Sequence, residues 1–174
     1  MVPIDFDNPS NWRDLQRRVA RILSECSLQA QTEKNIATAR GPVEIDVFAT
    51  DPSTKPDITY LCECKHWQKR VPKTVIHALR TVVSDYGPNW GFIISSSGFQ
   101  SGAFNAVQNS NLRLLTWGEF QGLFVDRWIE SYMIPRLHRE ADPLVDYTEP
   151  MNARVPCSGR TEPGGKEGVR RSSR

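Results

Sequence analysis

The sequence lacks long hydrophobic runs, and its first residues do not fit a cleavable leader. No stretch approaches the roughly 18 apolar residues that a membrane-spanning helix needs, and the mean hydropathy is −0.48. The chain opens with MVPIDFDNPSNWRD, which has acidic residues where a signal peptide has basic ones and contains no apolar segment. We therefore expect a cytoplasmic protein that has no membrane partner.

The sequence also lacks a strong excess of charge of either sign. Its 22 Lys and Arg residues against 20 Asp and Glu residues give a net charge of +2. The charge is uneven, because residues 13–80 carry twelve basic and eight acidic residues, whereas residues 113–149 carry four and seven. This distribution argues against a uniformly basic nucleic-acid-binding protein and leaves room for a locally basic surface.

Cysteine is scarce, and its spacing matches no metal or disulfide pattern. The chain has four cysteines, Cys26, Cys62, Cys64 and Cys157, with no CxxC pair. Cys62 and Cys64 lie two residues apart on a predicted strand, which favours buried free thiols over a disulfide. A thiol-based redox protein is the alternative that these residues leave open.

Hydrophobic periodicity predicts an α-β-β-β-α-β-α-β-α order. The predicted elements are a helix over 11–24, an edge strand within 27–39, strands over 43–49 and 58–65, a helix up to 86, a buried strand over 90–95, a short helix over 98–110, a strand over 112–115 and a closing helix over 117–133 interrupted by Pro135. The order predicts an α/β fold, a mixed β-sheet flanked by helices, over residues 1–147. Residues 148–174 are rich in Pro, Gly, Ser and Arg and are predicted to be a disordered basic tail.

Helical spacing assigns side chains to the core. The apolar stripe of the first helix is predicted to bury Trp12, Leu15, Val19, Ile22 and Leu23, with Arg13, Arg17 and Arg21 projecting away from it. The helix over 98–110 is expected to turn Phe104 inward. The closing helix carries Trp117, Phe120, Phe124 and Trp128, which predict either a core or a docking surface for a partner.

Two predicted strands carry the residues with chemical potential. Because side chains alternate along a strand, Glu44 and Asp46 should lie on one face and Val43, Ile45 and Val47 on the other. In the next strand Glu63 and Lys65 should share a face opposite Cys62 and Cys64. If the strands are neighbours, the apolar and thiol faces form one core, and Asp46, Glu63 and Lys65 come together. Two carboxylates and a lysine suit metal-assisted phosphodiester hydrolysis.

The segment GPVEID at 41–46, followed by ECKHW at 63–67, resembles the PD-(D/E)xK nuclease signature. The downstream segments GFIIS (91–95), GFQSGA (98–103) and LLTW (114–117) are similar to the Mrr-type restriction endonuclease family in particular. The likeness covers about residues 10–124 and implies a restriction-endonuclease-like fold with an α-β-β-β-α-β core. It further implies a Mg²⁺-dependent DNA endonuclease, of the type IV restriction kind, that defends against foreign or modified DNA.

The resemblance also implies roles for individual residues. Asp46 and Glu63, with the backbone carbonyl of Cys64, would hold Mg²⁺, for which Mn²⁺ is a possible substitute, and Lys65 would assist the attacking water. Glu44 precedes Asp46 by two residues and is a supporting residue. Family members often place Glu in the first helix where this chain has Gln16, a supporting residue whose lack of charge puts a second metal site in doubt.

The sequence also predicts which partners the protein has. Lys69, Arg70 and Lys73 follow the strand of Glu63 closely enough to contact a DNA phosphate backbone. A homodimer or a partner defence protein is expected, with the aromatic closing helix as a candidate interface. Two alternatives remain: a structure-selective resolvase or repair nuclease, and a catalytically silent DNA-binding module of the same fold.

Overall fold

The computed structural model describes residues 3–87 and 90–148, with side chains described as far as residue 142. The elements follow the predicted order: α1 (Trp12–Glu25), β1 (Gln29–Thr38), β2 (Gly41–Asp51), β3 (Ile58–Lys65), α2 (Lys73–Tyr86), β4 (Trp90–Ser95), α3 (Ser101–Ala106), β5 (Leu112–Thr116), α4 (Trp117–Trp128), a π-helical turn (Ile129–Met133) and α5 (Ile134–Thr148).

The five strands form one mixed sheet in which spatial order equals chain order, β1-β2-β3-β4-β5. Strands β1, β2 and β3 pair antiparallel, whereas β3, β4 and β5 pair parallel. The change of direction follows from the connections, because antiparallel neighbours need only turns and parallel neighbours need a crossover. Helices α2 and α3 are those crossovers. The structure thus confirms the predicted α/β architecture of a mixed sheet flanked by helices.

Apolar residues cover both faces of the sheet, so the protein has two cores. On one face α1 and α4 pack against Val47, Ala49, Cys62, Cys64, Phe92 and Ile94. On the other, α2 and α3 pack against Ile36, Ile45, Phe48, Leu61, Ile93 and Leu112. Strand β4 is buried on both faces, which explains why its sequence shows no alternation.

The prediction that Val43, Ile45 and Val47 share one face with the thiols is wrong. Val47 packs with Cys62 and Cys64, whereas Ile45 packs on the α2 and α3 side. The β1–β2 pairing passes from Thr32–Val47 to Lys34–Ile45 without a paired Glu33 and Asp46, and Glu33 has a left-handed backbone with φ of 52°. This local irregularity shifts the alternation of β2 at Asp46, because strict alternation requires an undisturbed extended backbone.

The closing helix also differs from its prediction. Pro135 does not interrupt the closing helix, since α5 begins at Ile134 and continues to Thr148. The preceding π-helical turn, in which Ile134 N–H donates to the Ile129 carbonyl, supplies the altered hydrogen bonding that a proline requires.

Two aromatic side chains predicted to be inside are not. Phe104 is 53% exposed and Trp12 is 48% exposed. Conversely, Trp117, Phe120 and Phe124 are buried in the core between α4 and the sheet, so this aromatic face is a core and is not available as a docking surface. The 98–110 helix is shorter than predicted, because α3 spans only Ser101–Ala106.

The compact unit that contains the sheet extends to His138, and a second unit begins at Arg139. The described part of the second unit is the remainder of α5. The predicted basic tail lies outside the described residues apart from its first position, so the 147/148 boundary stays a prediction. Within the described ranges, no helix combines the length and hydrophobicity needed to cross a bilayer.

Candidate active site

Strands β2 and β3 separate where the predicted acidic residues lie. Their pairing runs from Asp51–Ile58 to Val47–Cys62 and ends there, one position before Asp46 and Glu63. The backbone N–H of Cys64 therefore loses a strand partner, and it donates instead to Asp46 Oδ2 at 2.7 Å. The Asp46 carboxylate thus accepts the hydrogen bond that a backbone carbonyl of a paired strand would otherwise accept. This bond holds Asp46 at the fork between the two strands.

Glu63 and Lys65 face the same fork from β3. The Lys65 ammonium contacts Glu63 Oε1 directly and lies 3.9 Å from Asp46 Oδ2. The three side chains are partly exposed, at 23% for Asp46 and Glu63 and 19% for Lys65. The structure therefore brings the three predicted residues together at a position that a ligand can reach.

Gln16 joins this cluster from α1. Helix α1 starts with Asn11, whose side chain accepts from the Asp14 N–H, and it buries Leu15 and Val19 against the sheet. Gln16 is consequently only 5% exposed, and its Nε2 donates to Asp46 Oδ1 at 2.7 Å. Both oxygens of Asp46 accept a hydrogen bond from the protein, which fixes the carboxylate before any ligand arrives.

The electrostatics of the cluster favour a cation near Glu63. Burial raises the pKa of Glu63, and the charge of Asp46 adds to this effect against the opposing influence of Lys65. Burial lowers the pKa of Lys65, but the neighbouring carboxylates outweigh burial and raise it overall. A second cation would relieve the repulsion between the two carboxylates, since an opposite charge within a few ångströms favours the ionised form.

The donor set is suited to a hard divalent cation. Each carboxylate oxygen has two lone pairs, so Asp46 and Glu63 retain acceptor capacity beyond their present contacts. Among the residues that the structure describes, no group of three or more His, Cys, Asp or Glu side chains is placed to bind a metal ion. Two carboxylates and a carbonyl match Mg²⁺, which keeps several waters and phosphate ligands, better than Zn²⁺, which takes Cys and His.

The other predicted residues are more dispersed. Glu44 is exposed on β2 and makes no ion pair within the described ranges. Lys69, Arg70 and Lys73 are exposed on the segment after β3 and at the start of α2. That segment is anchored by Ser97, whose hydroxyl donates to the Lys69 carbonyl at 2.8 Å.

Cys62 and Cys64 are core residues, as predicted, and so is Cys26. Cys26, Cys62 and Cys64 are free and buried. Burial raises the pKa of Cys26 to about 11 and raises the pKa of Cys62 and Cys64 as well. Because the thiolate is the reactive form, these residues are poor redox nucleophiles.

Sequence reasoning missed a cleft beside this cluster. The cleft has a volume of about 600 Å³ and is lined by Trp12, Arg13, Gln16 and Arg17 from α1 and by Thr32 and Glu33 from β1. The sequence feature that could have indicated the cleft is the presence of Trp12 and three arginines on one helix. The apolar stripe assigned Trp12 to the core instead.

Comparison with known proteins identifies one family. The family model of the Mrr catalytic domain, described as a restriction endonuclease, matches residues 8–124. That range contains Gln16, Asp46, Glu63 and Lys65. No curated protein matches the chain.

Solved structures are similar to this chain to different degrees. AF1548, a protein of unknown function, superposes with a TM-score of 0.56 at 20% identity over 70% of this chain and 66% of its own. The MspJI restriction endonuclease in complex with a 27-mer oligonucleotide gives 0.42 at 16% over 78% and 31%. The DNA modification-dependent restriction endonuclease AspBHI gives 0.36 at 11% over 75% and 44%. The chain therefore spans about two thirds of AF1548 and less than half of the two endonucleases.

Proposed function

Since the chain belongs to the Mrr catalytic-domain family of restriction endonucleases, we propose that it hydrolyses phosphodiester bonds in DNA with the help of a bound divalent metal ion. The proposed biological role is restriction of foreign or modified DNA. A catalytically silent DNA-binding module and a structure-selective resolvase are the alternatives against which the experiments below are designed.

One observation carries the proposal. Lys65 contacts Glu63 and lies 3.9 Å from Asp46 Oδ2 at the point where β2 and β3 part. Strands β2 and β3 thus contribute one carboxylate each, and a lysine of β3 lies beside both. A solvated salt-bridged surface does not require a carboxylate fixed by both a buried glutamine and a backbone N–H, as Asp46 is.

The proposed metal ligands are Asp46, Glu63 and the backbone carbonyl of Cys64. A divalent ion held there would supply Lewis-acid polarisation of the phosphate and would lower the pKa of a bound water. Mg²⁺ is the proposed cofactor and Mn²⁺ a substitute, because both accept oxygen ligands.

The chain's own residues position and neutralise the reacting groups. Gln16 and the Cys64 N–H hold the Asp46 carboxylate in one orientation. The Lys65 ammonium is a donor that orients the attacking water and offsets negative charge on the phosphate as it accumulates. Lys69, Arg70 and Lys73 are proposed to contact the phosphate backbone next to the cleaved bond.

The first prediction concerns cleavage itself. Purified protein with Mg²⁺ or Mn²⁺ is expected to nick or cut DNA, and EDTA is expected to abolish the reaction. Lys65→Ala should lower the cleavage rate by at least about 100-fold, in the range seen when a group that stabilises transition-state charge is removed. The measurement is the conversion of supercoiled plasmid, with circular dichroism as a check on folding.

The substrate panel separates the alternatives. Linear, supercoiled, methylated and branched DNA are compared under the same conditions, with Lys55→Ala, which alters an exposed loop lysine, as a matched control. Preference for methylated duplex supports restriction, whereas preference for branched DNA supports a resolvase. If every form is bound and none is cut, the enzyme proposal is wrong and the silent module is favoured.

A further inference from the structure

We propose that the cleft between α1 and β1 binds the phosphodiester backbone of duplex DNA through Arg13 and Arg17, with Trp12 holding Arg13 in place. The inference rests on the proposed nuclease function and adds a binding surface on the α1 side of the site. It assigns a role to residues of α1, which belong neither to the family signature nor to the segment that carries Lys69, Arg70 and Lys73.

The arginines of α1 divide into two groups by their partners. Arg18 pairs with Asp5 and Asp14, and Arg21 pairs with Asp5 and Glu25.

Arg13 and Arg17 are exposed, form no ion pair within the described ranges and line the cleft. Two cations that form no ion pair with a described carboxylate therefore face one cavity, whose lining also includes Glu33. Basic side chains without ion-pair partners favour binding of a polyanion.

Trp12 restrains one of these cations. The Arg13 guanidinium lies 4.7 Å from the centroid of the Trp12 ring, within the range of a cation–π contact. Trp12 is 48% exposed, so its ring lies at the surface of the cleft and is not buried in the core. An arginine held by a ring loses less side-chain entropy on binding a phosphate than a freely moving one.

The cleft adjoins the candidate active site. Gln16 lines the cleft and donates to Asp46 Oδ1, so the cleft wall touches the fork between β2 and β3 through a single side chain. Glu33, which lies between Thr32 and Lys34 at the irregular position of β1, also lines the cleft. DNA whose scissile phosphate lies at Asp46 would therefore have neighbouring phosphates in reach of the α1 arginines, and Glu33 would repel a backbone placed too close to β1.

The test measures binding apart from cleavage. Fluorescence anisotropy of a labelled duplex is recorded in EDTA over a series of salt concentrations for wild type and the Arg13→Gln/Arg17→Gln double variant. The double variant is expected to bind about tenfold or more weakly and to reduce the salt slope by about 0.9 for each lost phosphate contact. Both side chains are exposed and unpaired with acids in the described structure, so the fold should persist.

Arg113→Gln is the matched control. Arg113 is exposed and its guanidinium also lies 4.7 Å from a tryptophan ring, that of Trp90, but it does not line the cleft. Its loss should leave affinity and salt slope unchanged. Glu33→Gln should strengthen binding, because it removes a negative charge from the cleft.

The outcomes distinguish the two proposals. If wild type binds and cleaves DNA but the double variant has the same affinity and salt slope as wild type, the cleft proposal is wrong and the nuclease proposal is not affected. Equal losses in the double variant and in Arg113→Gln would show a nonspecific charge effect and would also overturn it. Weaker binding by Glu33→Gln would contradict an anionic occupant. Absence of wild-type binding to any DNA would overturn the nuclease proposal together with the cleft.

Discussion

At the scale of single residues, the carboxylate of Asp46 is held by protein donors on both oxygens. Gln16 Nε2 and the Cys64 N–H each lie 2.7 Å from it. Groups that orient a metal ligand influence affinity without touching the substrate, because they fix the direction of the ligand's lone pairs. Gln16 is therefore proposed to be a positioning residue, at a place where the family resemblance implies an acid.

Gln16→Leu tests that role. The variant is expected to raise the Mg²⁺ concentration for half-maximal cleavage and to lower activity by about 10- to 100-fold. Losses of this size follow when a residue that hydrogen-bonds a metal ligand is replaced. Cleavage is measured across a metal titration, which separates weaker metal binding from a lower maximal rate. An unchanged metal dependence with lower stability alone would indicate a merely structural glutamine.

The candidate residues could be predicted from the sequence to the extent that strand alternation governs them. Glu63 and Lys65 lie on one side of β3 because that strand is regular. The hydrogen bond from Gln16 was beyond prediction, because it depends on how α1 packs across the sheet. Trp12 was misassigned because helical spacing indicates a direction and does not indicate whether another element covers it.

At the scale of secondary structure, α4 is attached to the sheet by an ion pair between a partly exposed arginine and a buried carboxylate. Arg127 donates to both oxygens of Asp51 at the end of β2, and its Nε donates to the Cys26 carbonyl at 2.7 Å. Asp51 is 2% exposed, and hydrogen bonds from Arg127 and then Ser53 hold the pKa of its carboxyl well below its usual range. The pair joins β2, α1 and α4 at one point.

Arg127→Gln should lower the free energy of unfolding by about 3 kcal/mol, because it leaves a buried carboxylate without its cation. Arg136→Gln is the control; Arg136 is exposed and bonds only Tyr132 in the described structure, so a change within about 0.5 kcal/mol is expected. Urea denaturation of both variants at neutral pH is the measurement. Equal effects would contradict a structural role for the pair.

The same pair predicts a pH dependence. The folded-state pKa of Asp51 is depressed, so its contribution is complete above the unfolded pKa of about 4 and is lost as pH falls through the folded value. The stability difference between wild type and Arg127→Gln should therefore shrink in acid. A difference that is constant from neutral pH to below about 4 would exclude this linkage.

Element order could be predicted from the sequence, whereas two irregularities could not. The helices and strands follow from periodicity and from breakers such as Gly87, the left-handed C-cap of α2. The face change of β2 at Asp46 depends on the left-handed Glu33 of a neighbouring strand. The continuity of the helix through Pro135 depends on a π-helical turn, which has no sequence signature of its own.

At the scale of the whole molecule, charge and fold are distributed differently along the chain. The segment 13–80, which carries the basic excess, supplies α1, the first three strands and the start of α2. The acidic segment 113–149 supplies α4, whose aromatic side chains complete a core. The basic residues of 150–174 are proposed to add only nonspecific DNA affinity.

A chain ending at Thr148 tests the predicted domain boundary. It is expected to keep the melting temperature and cleavage rate of the full chain, while binding DNA more weakly at low salt because six basic residues are removed. Thermal denaturation and plasmid cleavage are compared for the two lengths. A large drop in melting temperature would place part of the folded domain beyond residue 148.

The equality of spatial and chain order in the sheet has a consequence for synthesis. As the chain leaves the ribosome, each new strand finds its partner already present, which keeps contacts local and favours rapid folding. Gln16, Asp46, Glu63 and Lys65 all precede residue 66, but the aromatic side chains that pack with α1 come later, from α4. A nascent chain therefore carries every candidate catalytic side chain while still lacking the packing that fixes them, so we expect the candidate site to form only after α4 has been made.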